Sequence, residues 1–487
     1  MNQTLKKRLV SALALSLCIC AGSASAQAPN QPASHYRQLE VPPLKSIEVQ
    51  KPERTVLENG LTLYLMENHE LPLIDAQLMV YTGSRWEPIS KAGLASIVGE
   101  VIRSGGSERF PGDALDDELD NCATSIEVGI GQNQGSASIN SLAENFPRAL
   151  EILSDLIRRP VFPQEKIDLC KKEMSGSILR RNDNASSICS REFSRLLRGK
   201  DSPYGHQAEL ATLEAISRED LVAFHAEYFQ PQNMILGIWG DFRSAEMKEL
   251  VQREFGALPK GTAPRPAIPA IDEEAAAVSG VFLIEKTDVE QSFIRMGHSG
   301  GKQSDPDYYG LVIMDDILGG GFSSRLFCNV RSDRGLAYSV GSSWAAGMDV
   351  PGIFLASGST QLATTVQFIN AVKEEIERIC REEVTLEELD RSKKTYLNGF
   401  VFSFDSTGKI ISRLMAYDYY GYPADTLEHF QEKIAQVTQA DVLTAARKHL
   451  RPDRLAIMVV GNPEKFDQPL SVLGEVKTLD ITIPGAE

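Results

Sequence analysis

The chain has 487 residues, which is more than one hydrophobic core usually serves, so at least two domains are expected. Hydrophobic residues make up 42% and charged residues 24% of the sequence, a balance that excludes a disordered chain or a membrane bundle. The net charge of −16 disfavours nucleic acid and anionic lipid as partners, because both are negative.

The first 26 residues have the layout of a secretory signal peptide. Three basic residues at 6–8 precede an apolar run over 9–21, and Ala24-Ser25-Ala26 offers small side chains for cleavage. The run is too short to span a bilayer, and no later stretch is apolar enough to do so. We therefore expect a mature protein in the periplasm without a membrane span. Residues 27–50, rich in Pro, Ala and Gln, are expected to form an extended lead-in.

The first half alternates strand and helix patterns. Asn59-Gly60 lies between β-prone residues and predicts a hairpin. Apolar residues recur at helical spacing over 91–104, and Gly105-Gly106 is expected to end that helix. The remaining patterns predict strands over 61–66, 73–81, 124–130 and 136–139, and helices at about 143–158 and 163–181.

A stretch over 258–280, first proline-rich and then acidic and alanine-rich, predicts a linker. It separates an N-terminal domain, 51–257, from a C-terminal domain, 281–487. Similar segments end the two halves: "ISREDLVAFHAEYFQPQNMILGIWGD" at 216–241 and "VTQADVLTAARKHLRPDRLAIMVVGN" at 437–462. Each predicts a capped helix, a turn marked by proline and a strand that ends in glycine. Three matches at one constant offset indicate a tandem duplication: Asp220 with Asp441, Pro231 with Pro452, and Gly240 with Gly461.

Two further strings, "NGLTLYLMENHELPL" and "GGGFSSRLFCNVRSDRGLAYSV", resemble the pitrilysin/insulinase family of zinc peptidases. The resemblance runs from about residue 51 to residue 463. It implies an α+β fold of two tandem homologous domains, each a mostly antiparallel sheet packed with helices. Together the two domains are expected to form a bowl-like half-shell.

Active members of that family carry H-x-x-E-H on their first long helix and a distant Glu on a later one. Residues four apart share a helix face, so two imidazoles coordinate one zinc while the Glu acts as the base that activates the zinc-bound water. Aligned on residues 93–95, this chain has Ser96 and Glu100 at the His positions, Gly99 at the base position and Ser177 at the distal Glu position. None of the seven histidines has another within four residues, and no C-x-x-C pair exists. We therefore expect no metal site and no zinc hydrolysis by this chain alone.

The same helix contains a glycine where the family has its base. Ser96, Gly99 and Glu100 are expected on one polar face. Glycine inside a helix costs about 1 kcal/mol relative to alanine. Gly99 therefore indicates either that something approaches this polar face closely or that the helix packs tightly within the fold.

The second half keeps another family feature, an Arg and a Tyr seven residues apart that reach across to the zinc site. The resemblance implies that Arg331 and Tyr338, in "VRSDRGLAYS", bind the substrate backbone and stabilise the developing oxyanion. The structural alternative is that Arg331 caps or salt-bridges a helix end while Tyr338 fills a core.

Gly319, Gly320 and Gly321 follow an apolar helix pattern over 311–318. No Lys-Ser/Thr follows them, so a phosphate loop is excluded. They are expected to end one helix and to let the next begin at Ser323 or Ser324. In processing-peptidase subunits of the family a glycine-rich stretch at this place contacts substrate, so the resemblance implies, as an alternative, a secondary substrate role.

Two functions from different classes fit these features. In the first, the chain is the non-catalytic subunit of a heterodimeric zinc peptidase that cleaves unfolded peptides in the periplasm. A zinc-bearing partner of the same family then supplies H-x-x-E-H, and this chain, without a cofactor of its own, supplies Arg331 and Tyr338. In the second, the chain is a non-enzymatic scaffold or peptide-binding protein, like the respiratory-complex core subunits that resemble this family. Retention of both Arg331 and Tyr338 favours the first.

Overall fold

A computed structural model describes residues 51–262, 264–272 and 277–486, and its two halves each contain a six-stranded sheet. The first sheet has the order β1-β2-β6-β3-β5-β4, and only β2 and β6 are parallel. Its strands are β1 (Glu53–Val56), β2 (Thr62–Glu67), β3 (Leu73–Val80), β4 (Ser125–Ile130), β5 (Gly135–Leu142) and β6 (Met234–Gly240). The predicted hairpin is present, with Val56 paired to Thr62.

The second sheet has the order β12-β7-β11-β8-β10-β9, and β7 runs parallel to both of its neighbours. Its strands are β7 (Gly280–Glu285), β8 (Gln291–Ser299), β9 (Ser339–Ala345), β10 (Ile353–Gln361), β11 (Ala456–Gly461) and β12 (Val476–Thr478). Five strands of each sheet share one order and one set of directions: β2-β6-β3-β5-β4 corresponds to β7-β11-β8-β10-β9. The predicted α+β fold, with two homologous and mostly antiparallel domains, is confirmed.

The helices predicted over 91–104, 143–158, 163–181 and 311–318 are present to within three residues at each end, and further helices accompany them. In the first half they are α1 (Leu94–Gly105), α2 (Gly112–Asn121), α3 (Phe146–Arg158), α4 (Gln164–Leu179), α5 (Ala185–Arg198), α6 (Leu210–Glu214), α7 (Arg218–Tyr228) and α8 (Ser244–Phe255). In the second half they are α9 (Tyr308–Gly319), α10 (Thr365–Arg381), α11 (Leu386–Gly399), α12 (Thr407–Tyr420), α13 (Thr426–Gln436) and α14 (Gln439–His449). A π-helix, Leu326–Asp333, lies between α9 and β9.

The duplicated segments adopt the same local structure. Helices α7 and α14 both begin with a capping box, formed by Ser217 with Asp220 in the first half and by Thr438 with Asp441 in the second. A 3-10 turn follows each helix, at Pro231–Asn233 and Pro452–Arg454, and leads into β6 or β11. Local capping and turn chemistry thus specify the same unit twice.

Each half also supplies one helix to the other half's sheet. Helix α5 packs its apolar face, including Ile188 and Phe193, on the second sheet. Helix α12 packs Ile411 and Met415 on the first sheet in the same way. Gly237 in β6 permits this contact, because a Cβ atom there would lie 2.3 Å from the Met415 sulfur. Burying a large apolar side chain stabilises by about 1.5–3 kcal/mol, so the exchanged helices bind the halves together.

The turn between β9 and β10 is a second attachment between the halves. Arg85, buried in the first half, donates from Nη1 to Asp349 Oδ2 at 2.6 Å. Arg198 donates to the Pro351 carbonyl at 2.6 Å, and Tyr422 donates to the Met348 carbonyl at 2.8 Å. The turn is therefore held by side chains from the first half and from the residues that follow α12.

The described residues of 258–279 form no helix or strand, but they are anchored along the first half. Trp86 Nε1 donates to the Ala267 carbonyl at 2.9 Å, and Tyr204 donates to the Pro269 carbonyl at 2.7 Å. The signal peptide and lead-in predicted for 1–50 lie outside the described residues. Within the described ranges, no helix combines the length and apolarity needed to cross a bilayer, and the five cysteines are free thiols.

Candidate functional site

Helix α1 carries three of the positions where the zinc peptidases place their metal motif. Ser96 and Glu100, one turn apart, are exposed, whereas Gly99 is buried. A Cβ atom on Gly99 would lie 2.6 Å from the Ile130 nitrogen and 2.9 Å from the Gly129 carbonyl carbon. Strand β4 therefore supplies the close approach that the glycine indicated, and Gly99 lies under it rather than on an open polar face.

Ser177, at the distal Glu position, is exposed on α4 and donates to the Glu173 carbonyl at 3.1 Å. Cys170 lies on the same helix. Burial, together with the nearby Glu100 and Glu173 carboxylates, raises the pKa of the Cys170 thiol to about 11. A thiol with that pKa stays protonated at neutral pH and is a poor metal ligand. The site thus offers one carboxylate and two hydroxyls, which do not fit a catalytic zinc that needs three protein ligands.

Among the described residues, one group of three potential metal ligands lies within 4.8 Å, and it belongs to the second half. It comprises Asp305, Asp307 and His449. Asp307 Oδ2 already accepts from Lys448 Nζ at 2.6 Å and lies 2.9 Å from His449 Nε2. These contacts join the start of α9 to the end of α14, which accounts for the cluster.

Arg331 lies on the π-helix and stacks on two aromatic rings. Its guanidinium carbon is 4.3 Å from the ring centre of Phe327 and 5.6 Å from that of Tyr338. Tyr338 is 82% exposed and so does not fill a core. Arg331 makes neither an ion pair nor a hydrogen bond with any of the described residues. The structural alternative, an Arg that salt-bridges a helix end and a buried Tyr, does not describe this pair.

Ion pairs and a hydrogen bond hold the π-helix on both sides of Arg331. Arg325 binds Glu388 of α11 with both carboxylate oxygens engaged, at 2.7 and 2.9 Å. Burial raises the Glu388 pKa, but the hydrogen bonds and charge of Arg325 and the hydrogen bonds from Thr385 together outweigh it and lower that pKa to about 2. Asn329 donates to Glu375 of α10 at 2.8 Å, and Arg334 pairs with Glu374. Arg331 is thus presented by a fixed segment, and π-helical turns of this kind frequently occur at functional sites.

The glycine run forms the turn after α9, which ends at Gly319 as expected. A Cβ atom on Gly319 would lie 2.1 Å from the Ser342 nitrogen, and one on Gly320 would lie 2.6 Å from the Asp316 Cα. Gly321 would meet nothing within 4 Å. The first helical residue of the next helix is Arg325, which follows the predicted start at Ser323 or Ser324. Its first turn is nevertheless capped by Ser324, whose Oγ accepts from the Phe327 N–H at 3.4 Å.

One cavity of about 380 Å³ joins these features. All five residues predicted in the second half line it, together with four others: Gly319, Gly320, Gly321, Phe322, Phe327, Arg331, Tyr338, Ser339 and Val340. Phe322 is 82% exposed and packs edge-on against Phe327, with ring centres 5.0 Å apart. Sequence reasoning missed these two phenylalanines. Their signal was an aromatic residue directly after the glycine run and another four residues before Arg331.

Beneath the cavity, Asp315 of α9 accepts a hydrogen bond from Ser342 Oγ of β9 at 2.6 Å. Burial raises the Asp315 pKa to about 6, against the opposing effect of the Ser342 bond. This contact fastens the end of α9, and hence the glycine turn, to the strand that follows Tyr338.

Two family profiles match the chain in tandem. That of the insulinase family (peptidase family M16) matches residues 64–192, and that of the peptidase M16 inactive domain matches residues 215–396. The chain belongs to peptidase family M16. Within this M16 chain, the first profile contains α1 and the degenerate positions, and the second contains the π-helix and Tyr338.

Curated relatives agree with this assignment. An uncharacterized zinc protease, YmxG, of Bacillus subtilis is 24% identical over 363 residues, which cover 74% of this chain and 86% of that protein. A protein of Helicobacter pylori named non-peptidase homolog YmxG is 24% identical over 406 residues, 82% of this chain and 91% of its own length.

The fold matches that of a peptidase M16 inactive domain from Pseudomonas fluorescens with a TM-score of 0.75, at 24% identity over 85% of this chain and 98% of that one. A Helicobacter pylori protease matches with a TM-score of 0.74 at 18% identity, covering 85% of this chain and all of that one. The replacement of the family's metal motif in this M16 homologue is consistent with a non-catalytic role.

Proposed function

We propose that this chain is the non-catalytic subunit of a heterodimeric zinc peptidase in the periplasm. A zinc-bearing partner of the same family would supply H-x-x-E-H. This chain would supply Arg331 and Tyr338, whose donors hold the substrate backbone and the developing oxyanion. The relative named a non-peptidase homolog is consistent with such a division of labour.

The observation that carries the proposal is the unpaired state of Arg331. The guanidinium stacks on Phe327 and Tyr338, and no carboxylate among the described residues neutralises it. A solvent-facing Tyr beside an uncompensated Arg contributes little to folding, since neither fills the core nor closes an ion pair. Their donors are therefore available to a ligand, whereas the metal positions on α1 and α4 offer no working ligand set.

A peptide is the ligand class that the surroundings favour. Strand β9, which begins directly after Tyr338, is the edge strand of its sheet. An edge strand presents unpaired N–H and C=O groups, to which an extended peptide can add by main-chain hydrogen bonds. An unfolded segment lying along β9 would pass beside Tyr338 and Arg331.

The test is reconstitution with a family member that carries H-x-x-E-H. Neither chain alone should cleave an unfolded peptide, and the mixture should. Arg331→Ala should lower kcat by about 100-fold, the usual effect of removing one oxyanion donor, and Tyr338→Phe should also lower it. Arg334→Ala is the matched control, because Arg334 lies on the same segment, is paired with Glu374 and does not line the cavity.

Full activity of the double variant Arg331→Ala/Tyr338→Phe would remove the composite site. If the chain were still required for assembly in that case, the scaffold function would be supported instead. Export is tested separately by sequencing the N-terminus of the chain recovered from the periplasm, which should begin at Gln27.

A further inference from the structure

We infer that the cavity beside the glycine turn binds the free C-terminal carboxylate of a peptide whose last residue is large and apolar. Arg331 would be its cation. The inference rests on the proposed peptide-binding role of this cavity and names the kind of peptide that it holds. Its support comes from the charge, the walls and the size of the cavity.

The charge of the cavity favours an anion. Its nine lining residues include one cation, Arg331, and no carboxylate. The neighbouring cations of the same segment, Arg325 and Arg334, are both neutralised by glutamates. Of these three arginines, Arg331 is the one that no carboxylate among the described residues neutralises. A guanidinium binds a carboxylate through two parallel, charge-assisted hydrogen bonds. These bonds are stronger than those that it makes to a neutral carbonyl.

The walls of the cavity favour an apolar side chain. Phe322 and Phe327 form an edge-on aromatic pair on one side, and Val340 adds an aliphatic surface. Phe322 is 82% exposed, so a side chain that covered it would remove apolar surface from water. The volume of about 380 Å³ lies at the lower end of the range for ligand sites, which suits one residue and its terminus rather than a long segment.

One side of the cavity lies where Gly319 of α9 packs on β9. Gly319 packs so tightly on Ser342 that a Cβ atom would lie 2.1 Å from the Ser342 nitrogen. The hydrogen bond from Ser342 Oγ to Asp315 fastens the same contact. This contact leaves no room for a side chain between Gly319 and Ser342, so it forms a wall on one side of the bound residue. Peptide-bond hydrolysis adds water to an amide and leaves one fragment with a new carboxylate, so proteolysis is the reaction class that supplies this ligand.

The experiment measures binding to the full mature chain without any partner. The probes are two N-acetylated pentapeptides ending in Phe, one with a free carboxylate and one with a C-terminal amide, and a free-acid pentapeptide ending in Gly. The Phe acid should bind about 10-fold more tightly than the Phe amide, as charge-assisted hydrogen bonds exceed neutral ones. Arg331→Gln should remove the acid-to-amide difference, and Arg334→Gln should leave it intact. Phe322→Ala should weaken binding of the free-acid peptide that ends in Phe but not of the one that ends in Gly.

Equal affinity of the wild-type chain for the acid and the amide would overturn the inference without any variant. An equal effect of Arg331→Gln and Arg334→Gln would also overturn it. These outcomes are separate from the failure of the proposed function, which is read from partner-dependent cleavage of an internal peptide bond. Loss of cleavage in Arg331→Ala together with equal acid and amide binding would leave the composite site standing and remove only the terminal-carboxylate site.

Discussion

The guanidinium carbon of Arg331 lies 5.6 Å from the ring centre of Tyr338, although one residue is on the π-helix and the other precedes β9. The turn between these elements brings both side chains to the mouth of one cavity. The positions that match the metal site of active relatives lie elsewhere, on α1 and α4, and hold Ser96, Glu100 and Ser177. Loss of the metal set with retention of the pair is the pattern on which the proposal of a partnered subunit rests.

The first prediction concerns metal content. The purified chain should contain no stoichiometric zinc, because the positions of the metal set offer one carboxylate, two hydroxyls and a glycine. Elemental analysis after dialysis measures this directly. One zinc per chain would overturn the alignment that places Ser96, Gly99, Glu100 and Ser177 at the metal positions.

The second prediction concerns Gly99. Gly99→Ala should destabilise the fold by about 1–3 kcal/mol, the usual cost of overpacking, since the added methyl would strike the β4 backbone. Gly176→Ala is the matched control on α4, where only the tip of Arg180 comes within 4 Å. There alanine should be neutral or stabilising by up to about 1 kcal/mol. Urea unfolding of both variants makes the comparison, and similar stability of the two would exclude the steric explanation.

The third prediction separates structure from binding in the glycine run. Gly321→Ala meets open space and should leave the melting temperature unchanged. Gly319→Ala should lower it, because a side chain there would collide with Ser342. If the run contacts peptide, Gly321→Ala should weaken peptide binding without affecting the fold. Unchanged binding would restrict the glycines to their structural role.

The fourth prediction concerns pH. The pKa of Asp315 is about 6 in the folded chain and 3.8 in the reference state, so the folded protein holds this proton more tightly. Its stabilising contribution is complete below about pH 3.8 and is lost as the pH rises through about 6. As the pH rises from 5 to 8, the free energy of unfolding of Asp315→Asn should therefore increase by about 1–3 kcal/mol relative to that of the wild type. Thermal melts at both pH values measure this, and a wild-type-minus-variant difference that is independent of pH would refute it.

The fifth prediction concerns the attachment between the halves. Asp349→Ala would leave the buried Arg85 without its carboxylate, which typically costs about 3–5 kcal/mol. Glu428→Ala is the control, because its ion pair with Lys51 also joins the halves but is exposed. Exposed pairs contribute at most about 1 kcal/mol. Denaturant unfolding should therefore separate the two variants clearly, and equal losses would contradict the role given to burial.

The elements that depend on neighbouring residues could be read from the sequence. The Asn59-Gly60 hairpin, the capping boxes at Ser217 and Thr438, and the helix end at Gly319 all depend on residues within a few positions. The tandem duplication was visible for the same reason, since the repeated segment carries its own cap, turn and strand. The loss of the metal motif could be predicted from the identities of the residues in one helix and at one later position.

Only the tertiary structure decided the long-range relationships, because they arise where distant segments pack. The exchange of α5 and α12 between sheets leaves no local pattern, since an apolar helix face does not specify which sheet it covers. Contacts between separate elements place β4 beside Gly99, and they place Phe322 and Phe327 in the wall of the cavity. The same holds for the finding that no glutamate in the described part of the chain pairs with Arg331. The sequence by itself determined the duplicated fold and the missing metal set. Packing decided what the retained Arg331 and Tyr338 face.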